Sequence, residues 1–349
     1  MLTKKQIKEI REHLEKAQNP IFYFDNDPDG LCSFLLLRKF VEKGKGVPVK
    51  SFPDLNADYL RKVEELNCDY IFILDKPVVA EEFFKKAEQM NIPIVWIDHH
   101  AIDKKTIPRF VNYYNPIFNR KKSNEPVTAL CYQIADKDED LWIAVAGCIS
   151  DSFIPDFYSE FLKKYPDLGI KAKKPFDILY NSQIGQLSQL LAFGLKDRTT
   201  NVINMMKFLI KVKTPYEVLE ENSKNRNMHE KFNQINRKFN QLVKRARENS
   251  EGDTIFFQYS GDLSISSEVS NKLMYLFPDK IIIVARVFGG MVSISARGDD
   301  VRDKVLKAIE GLENATGGGH KEAVGARVME KDFEKFKEKL KYIVENRKV

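Results

Sequence analysis

Asp25, Asp27 and Asp29 stand at alternate positions in Asp25-Asn26-Asp27-Pro28-Asp29-Gly30, directly after the apolar run 21–24. Three carboxylates on one turn repel one another at neutral pH, and a divalent cation relieves that repulsion. A solvated acidic turn carrying a helix N-cap is the plainer reading of the same residues. An EF-hand calcium loop is excluded, because Leu36 stands where the bidentate glutamate would close it.

Asp75 follows the apolar run 70–74 and precedes Lys76-Pro77. A carboxylate after a parallel strand faces the crevice where α/β sheets bind ligands, although a turn-initiating aspartate also fits. Asp98-His99-His100 follows another apolar run, 94–97, and takes two of the five histidines in the chain. Neutral imidazole ligates transition metals, and an adjacent carboxylate fixes its tautomer. Asp151 ends Ala146-Gly147-Cys148-Ile149-Ser150-Asp151; alone it reads as a solvated helix end, and its weight comes from the other acids. Carboxylates mixed with imidazole suit manganese or magnesium better than a closed thiolate zinc site. So many acids would overcharge one ion, so two ions about 3.5 to 4 Å apart sharing an aspartate are expected, an arrangement that hydrolyses phosphoesters.

Far downstream lies Thr316-Gly317-Gly318-Gly319-His320. Three glycines can take φ > 0 and turn their backbone N–H groups toward an anion, with His320 as a further donor; a flexible loop is the alternative. Arg297, after the run 291–296, can grip phosphate in a bidentate fork or simply end a strand in solvent.

These residues need elements to position them. Short apolar runs at 21–25, 47–52, 70–74 and 94–97 alternate with helical spacing at 32–42, 79–90 and 127–135. That alternation predicts an α/β domain, a mostly parallel sheet of about five strands with helices on both faces. Residues 149–199 read as helical and loop-rich, and 202–210 as an apolar helix. Over 215–249 a long polar helix carries only a narrow stripe, Phe232, Ile235, Phe239, Leu242 and Val243, which suits a connector between domains. Its Lys224, Arg226, Lys231, Arg237, Lys238, Lys244, Arg245 and Arg247 either track a phosphate backbone or form a solvated face. Ser250-Glu251-Gly252-Asp253 ends it. Strands at 254–259, 281–287 and 291–296, with helices at 268–276 and 333–344, make a smaller C-terminal α/β domain. The expected division is 1–200, 201–252 and 253–349.

At 349 residues, 43% hydrophobic and 30% charged, the chain can bury two cores. Its longest apolar run, 141–149, falls well short of the roughly 18 to 20 residues that span a bilayer. The opening residues lack a signal peptide's apolar stretch and cleavage site, so the cytoplasm is the expected compartment. Cys32, Cys68, Cys131 and Cys148 form no C-x-x-C pair and read as reduced packing residues. A net charge of +6 permits a polyanionic partner without requiring one.

The acidic segments together with Gly-Gly-Gly-His resemble the DHH phosphoesterase superfamily, in particular RecJ-like members carrying a DHHA1 domain. Asp25, Asp27, Asp29, Asp75, Asp98-His99-His100 and Asp151 look like the N-terminal motifs, and Gly317-Gly318-Gly319-His320 like the C-terminal signature. The resemblance implies a DHH domain holding two manganese ions, with magnesium as a substitute, a helical connector and a substrate-binding C-terminal domain. Asp25, Asp27 and Asp75 would serve one ion; Asp29, Asp75, His99 and Asp151 would serve the other, with Asp75 bridging. His100, with Asp98, would stand beside the scissile phosphate, while Arg297, Gly317, Gly318, Gly319 and His320 would hold the substrate. Small-substrate relatives place a histidine where Tyr23 stands here, so the implied activity is an exonuclease on single-stranded DNA or RNA, in DNA repair. The compact form is similar to archaeal RecJ-like nucleases, some of which resemble helicase- or replisome-associated factors, and this implies such a protein partner. Short oligonucleotides, a cyclic dinucleotide or 3′-phosphoadenosine phosphate are the alternative substrates. A replication scaffold without activity is the alternative of a different class.

Overall fold

The computed structural model describes residues 1–50, 54–248, 250 and 252–345, which fold as two compact units, Met1–Phe232 and Asn233–Val349. In the first unit come α1 (Lys4–Lys16), β1 (Pro20–Asp25), α2 (Pro28–Val41), β2 (Lys45–Val49), α3 (Leu60–Glu65), β3 (Tyr70–Leu74), α4 (Glu81–Gln89), β4 (Ile94–Ile97) and β5 (Asn112–Tyr114). The helices α5 (Val127–Ala135), α6 (Leu141–Ser150), α7 (Tyr158–Lys164), α8 (Pro175–Asn181), α9 (Gln183–Gly194), α10 (Thr199–Leu209) and α11 (Pro215–Leu219) follow. The division between units falls inside α12 (Arg226–Glu248).

The first sheet has the order β2-β1-β3-β4-β5 with every pairing parallel. Its central strands are apolar on both faces because helices cover both. One face packs Ile21, Tyr23, Ile71, Ile73, Ile94 and Trp96 with Leu60 and Val63 of α3 and Phe83 and Ala87 of α4. On the other, Phe22 and Phe24 meet Phe34 of α2 at ring-centroid distances of 5.7 and 5.1 Å. Truncating such a ring to alanine costs about 3–5 kcal/mol. The strand order reverses between β1 and β3, the place where ligands bind in open α/β sheets.

The second unit contains β6 (Thr254–Ser260), α13 (Ser266–Leu276), β7 (Ile281–Phe288), β8 (Met291–Arg297), α14 (Val301–Ile309), β9 (Thr316–His320), β10 (Ala323–Met329) and α15 (Phe333–Glu345). Its sheet runs β6-β7-β8-β10-β9, parallel between β6 and β7 and antiparallel elsewhere. Ile283, Ala285, Val292 and Val324 of this sheet share a core with Val301 and Val305 of α14 and Phe336 and Leu340 of α15.

Several expected boundaries move. Helix α2 begins at Pro28, not residue 32, because the Asp27 side chain accepts the Gly30 N–H and Pro28 takes the first helical position. The strand expected at 47–52 is Lys45–Val49, and 51–52 lie outside the described residues. The helix expected over 215–249 is interrupted: Asn225 Oδ1 accepts the Asn222 N–H at 2.7 Å, while its amide donates to the carbonyls of Glu217 and Glu220. Asn249 and Glu251 lie outside the described residues. Four elements with weak local signals, α3, β5, α14 and β10, had no counterpart in the sequence expectations.

The glycine run departs furthest from expectation. Thr316–His320 is an edge strand paired antiparallel with β10 and fully exposed, not a concave loop. Of its three glycines only Gly319 has positive φ, +140, and a Cβ there would run into the Ala323 carbonyl. The four cysteines are free and buried, as packing residues should be. No helix among the described residues is long and apolar enough to cross a membrane.

Candidate metal centre

Parallel register sets Phe24, Leu74 and Ile97 level across β1, β3 and β4, so the chain delivers Asp25, Asp75 and Asp98 side by side at the carboxyl edge. Asp75 turns away from β3 with φ +57, a left-handed conformation that a side chain rarely accepts and that sites of chemistry often store. Gly30 is fixed by close approach: a Cβ there would meet the Asp25 backbone, its nitrogen at 2.7 Å. Helix α2 therefore starts almost on top of the β1 terminus. Asp151 reaches the same edge from the C-terminal end of α6.

Three sets of ligand atoms converge there, the members of each set within 4.8 Å of one another: Asp25, Asp27 and Asp75; Asp29, His99 and Asp151; Asp75, His99 and His100. His99 Nε2 lies 3.4 Å from Asp75 Oδ1 and 3.9 Å from Asp151 Oδ2, while its Nδ1 meets the Asn124 carbonyl at 3.3 Å. A carbonyl accepts the Nδ1 proton, which leaves the Nε2 lone pair on the carboxylate side, as a metal-ligating histidine requires. His100 donates from Nδ1 to Asp98 Oδ1 at 2.8 Å, and Asp98 Oδ2 accepts from the Tyr113 hydroxyl at 3.3 Å. Asp98 is wholly buried and belongs to none of the three sets, so its contact is with His100.

Both oxygens of Asp29 have a second task. Oδ2 accepts the Val127 N–H at 2.9 Å and Oδ1 the Thr128 N–H at 2.7 Å, capping α5, whose own N-cap residue, Pro126, makes no side-chain cap. The plain reading of these acids as helix caps is thus true as well: Asp27 caps α2 and Asp29 caps α5.

Crowding has an electrostatic cost. Burial, then the charges of Asp25 and Asp29, push the Asp27 carboxyl well above the usual range. Burial with Asp29 and Asp27 does the same to Asp75, and His99 offsets it only in part. Burial lifts Asp151 to about 6, although its side chain keeps 42% exposure and solvent tempers the effect. For His99, burial disfavours the cation, but Asp75 with Asp151 and Asp29 overcomes it and raises the imidazolium well above its ordinary value. Such a set at neutral pH holds extra protons or takes a cation. Asp75 Oδ1 gives the second indication of fit: it is buried and accepts no hydrogen bond among the described residues, an expensive state that a coordinated ion would end. Carboxylates with neutral imidazole nitrogens are donors suited to manganese or magnesium.

Sequence reasoning gave no role to Lys76, whose Nζ lies 3.0 Å from Asp25 Oδ1 with the side chain 3% exposed. Nor did it assign the Asn124 carbonyl or the start of α5. Each acts from a distant segment, so local pattern could not find it, although a lysine beside a strand-end aspartate was visible. Tyr23, the place of the absent histidine, points into the core and donates its hydroxyl to the Tyr59 carbonyl at 2.6 Å. Arg297, Gly317, Gly318, Gly319 and His320 all belong to the second unit. There the Arg297 guanidinium donates to Asn271 Oδ1 at 2.6 Å and Ser267 Oγ at 2.9 Å, one strand-width of sheet away from the glycine strand, since β10 lies between β8 and β9.

The model of the DHH family N-terminal domain matches residues 21–149, and that of the DHHA1 domain matches residues 252–346, together well over half of the chain. No curated protein gives a significant match. Among solved structures, RecJ from Thermus thermophilus in complex with Mn2+ is 14% identical with TM-score 0.69, over 98% of this chain and 54% of that one. This chain thus spans about half the length of that relative. An exonuclease RecJ bound to manganese is 13% identical with TM-score 0.65, over 97% of this chain and 94% of that one. CDC45 from Entamoeba histolytica is 10% identical with TM-score 0.56, over 97% and 98%. At these identities the likeness is one of fold. The chain belongs to the DHH/DHHA1 superfamily, and its fold is RecJ-like.

Proposed function

We propose that the chain is a metal-dependent phosphodiesterase that shortens single-stranded DNA or RNA as an exonuclease, with two manganese ions, or magnesium in their place. The observation that carries this reading is the convergence of three ligand sets in which Asp75 and His99 each occur twice. Shared ligands are what a pair of ions needs. In this reading Asp25, Asp27 and Asp75 would hold one ion and Asp29, Asp75, His99 and Asp151 the other, with Asp75 common to both sets. Bound ions would supply Lewis-acid charge and a water of lowered pKa.

The protein's own groups do the rest. Asp98 ties down Nδ1 of His100 at 2.8 Å, so Nε2 is the nitrogen that meets the phosphate and exchanges a proton with its oxygens. Asp98 is itself a member of none of the ligand sets, and in this reading it acts with His100 through that hydrogen bond. In the second unit Arg297, Gly317, Gly318, Gly319 and His320 bind the substrate, with Asn271 and Ser267 orienting the guanidinium plane. The burial of Tyr23 favours a nucleic-acid substrate over the small-nucleotide alternatives, because no ligand comes from that position. Lys224, just before α12, and Arg226, Arg237, Lys238, Lys244, Arg245 and Arg247 on it are exposed, as phosphate-tracking residues must be, while Lys231 is half-buried.

Digestion of 5′- and 3′-labelled DNA and RNA strands with manganese, magnesium or chelator tests the reading. A ladder that needs the metal is expected, and its direction gives polarity. Intact strands under every metal condition would overturn it.

A further inference from the structure

Lys76 is the charged residue at this centre that neither the ligand sets nor the proposed chemistry uses. Its position is built. Asp75 turns through φ +57, Lys76 precedes Pro77, a position that disfavours helical backbone, and the indole N–H of Trp96 donates to the Lys76 carbonyl at 3.0 Å. The side chain is then driven along the sheet edge with 3% exposure, and its ammonium stops 3.0 Å from Asp25 Oδ1. Burial this deep keeps it from meeting a polyanion from solvent. An unpaired buried ammonium is costly, so Asp25 is its required counter-charge.

The two halves of the centre therefore differ. Around Asp29 and Asp151 the nearby cation-capable groups are His99 and His100, imidazoles that can release a proton and offer a lone pair. Beside Asp25 the group is an ammonium, which while charged has three donors and no lone pair. We propose that Lys76 is a resident counter-cation for the Asp25, Asp27 and Asp75 set, so that this half binds its divalent ion more weakly than the half built on Asp29, His99 and Asp151. The inference rests on the two-ion reading above. A weaker ion site filled only at higher metal concentration makes the enzyme responsive to manganese supply.

The test is titration of the metal-stripped full chain with Mn2+, following free Mn2+ by its paramagnetic resonance signal. Wild type should show two classes of site at least about tenfold apart, the scale expected when a like charge stands a few ångströms from an ion. In Lys76→Met and Lys76→Gln the weaker class should tighten about tenfold or more, and in Lys76→Arg it should stay weak. Tightening is a gain that damage to the fold does not produce, and the glutamine variant keeps a polar group beside Asp25 should methionine prevent folding. Two equal classes in wild type, or a weaker class that the uncharged variants leave unchanged or loosen, would overturn the role of Lys76. Failure of wild type to bind Mn2+ at all would instead overturn the proposed function, and this inference with it.

Discussion

The Asp29 carboxylate accepts the Thr128 backbone N–H at 2.7 Å, which makes one of the proposed metal ligands the N-terminal cap of a helix almost a hundred residues away in sequence. Asp29→Ala should therefore destabilise even the metal-free protein, by about 1–3 kcal/mol, because two N–H groups at the start of α5 lose their acceptor. Urea unfolding of Asp29→Ala and wild type in chelator measures the loss, and equal stability for the two would contradict a dual role for Asp29.

Asp151 gives a pH signature. Its folded value, about 6, is raised from 3.8, so the stability it contributes to the metal-free protein is complete below the lower value and lost as pH rises through the higher one. Asp151→Asn should gain on wild type between about pH 4 and pH 7, and with 42% exposure the gain is about 1 kcal/mol rather than the full shift. Melting temperatures in chelator across that range measure it. A difference that does not change with pH would count against a raised Asp151 carboxyl.

Gly30→Ala places a methyl against the Asp25 backbone, at 2.7 Å from its nitrogen, so strand and helix must shift to admit it. The expected loss is about 1–3 kcal/mol, with weakened Mn2+ binding because Asp25 and Asp27 shift together. Calorimetry with and without metal reads both effects.

Arg297→Ala should raise KM about tenfold or more while kcat changes little, the pattern of a lost binding contact. Steady-state kinetics on a single-stranded substrate decides this. A fall in kcat at constant KM would place Arg297 in the chemistry instead.

The scaffold was largely legible. Strands 70–74 and 94–97 appear with the boundaries their apolar runs suggest, because a strand buried on both faces must be apolar at every position. The acids after those strands were legible for the same reason: a charge ending an apolar run has to emerge at the sheet edge. Lys76, Tyr113 and the Asp29 cap were not, since each depends on segments that only tertiary folding brings together. The glycine run misled because its composition permits a loop, whereas pairing with β10 makes it a strand, an outcome decided by a neighbour rather than by glycine itself.

The most direct test of a centre bridged by Asp75 is the paramagnetic resonance spectrum of the Mn2+-saturated protein, taken on wild type and Asp75→Asn beside hydrolysis of a labelled single strand. Two ions about 3.5 to 4 Å apart should give a spin-coupled spectrum in wild type, and the variant should lose both that coupling and at least about a hundredfold of the activity. Isolated, uncoupled Mn2+ in wild type, or full hydrolysis by Asp75→Asn, would contradict the two-ion centre.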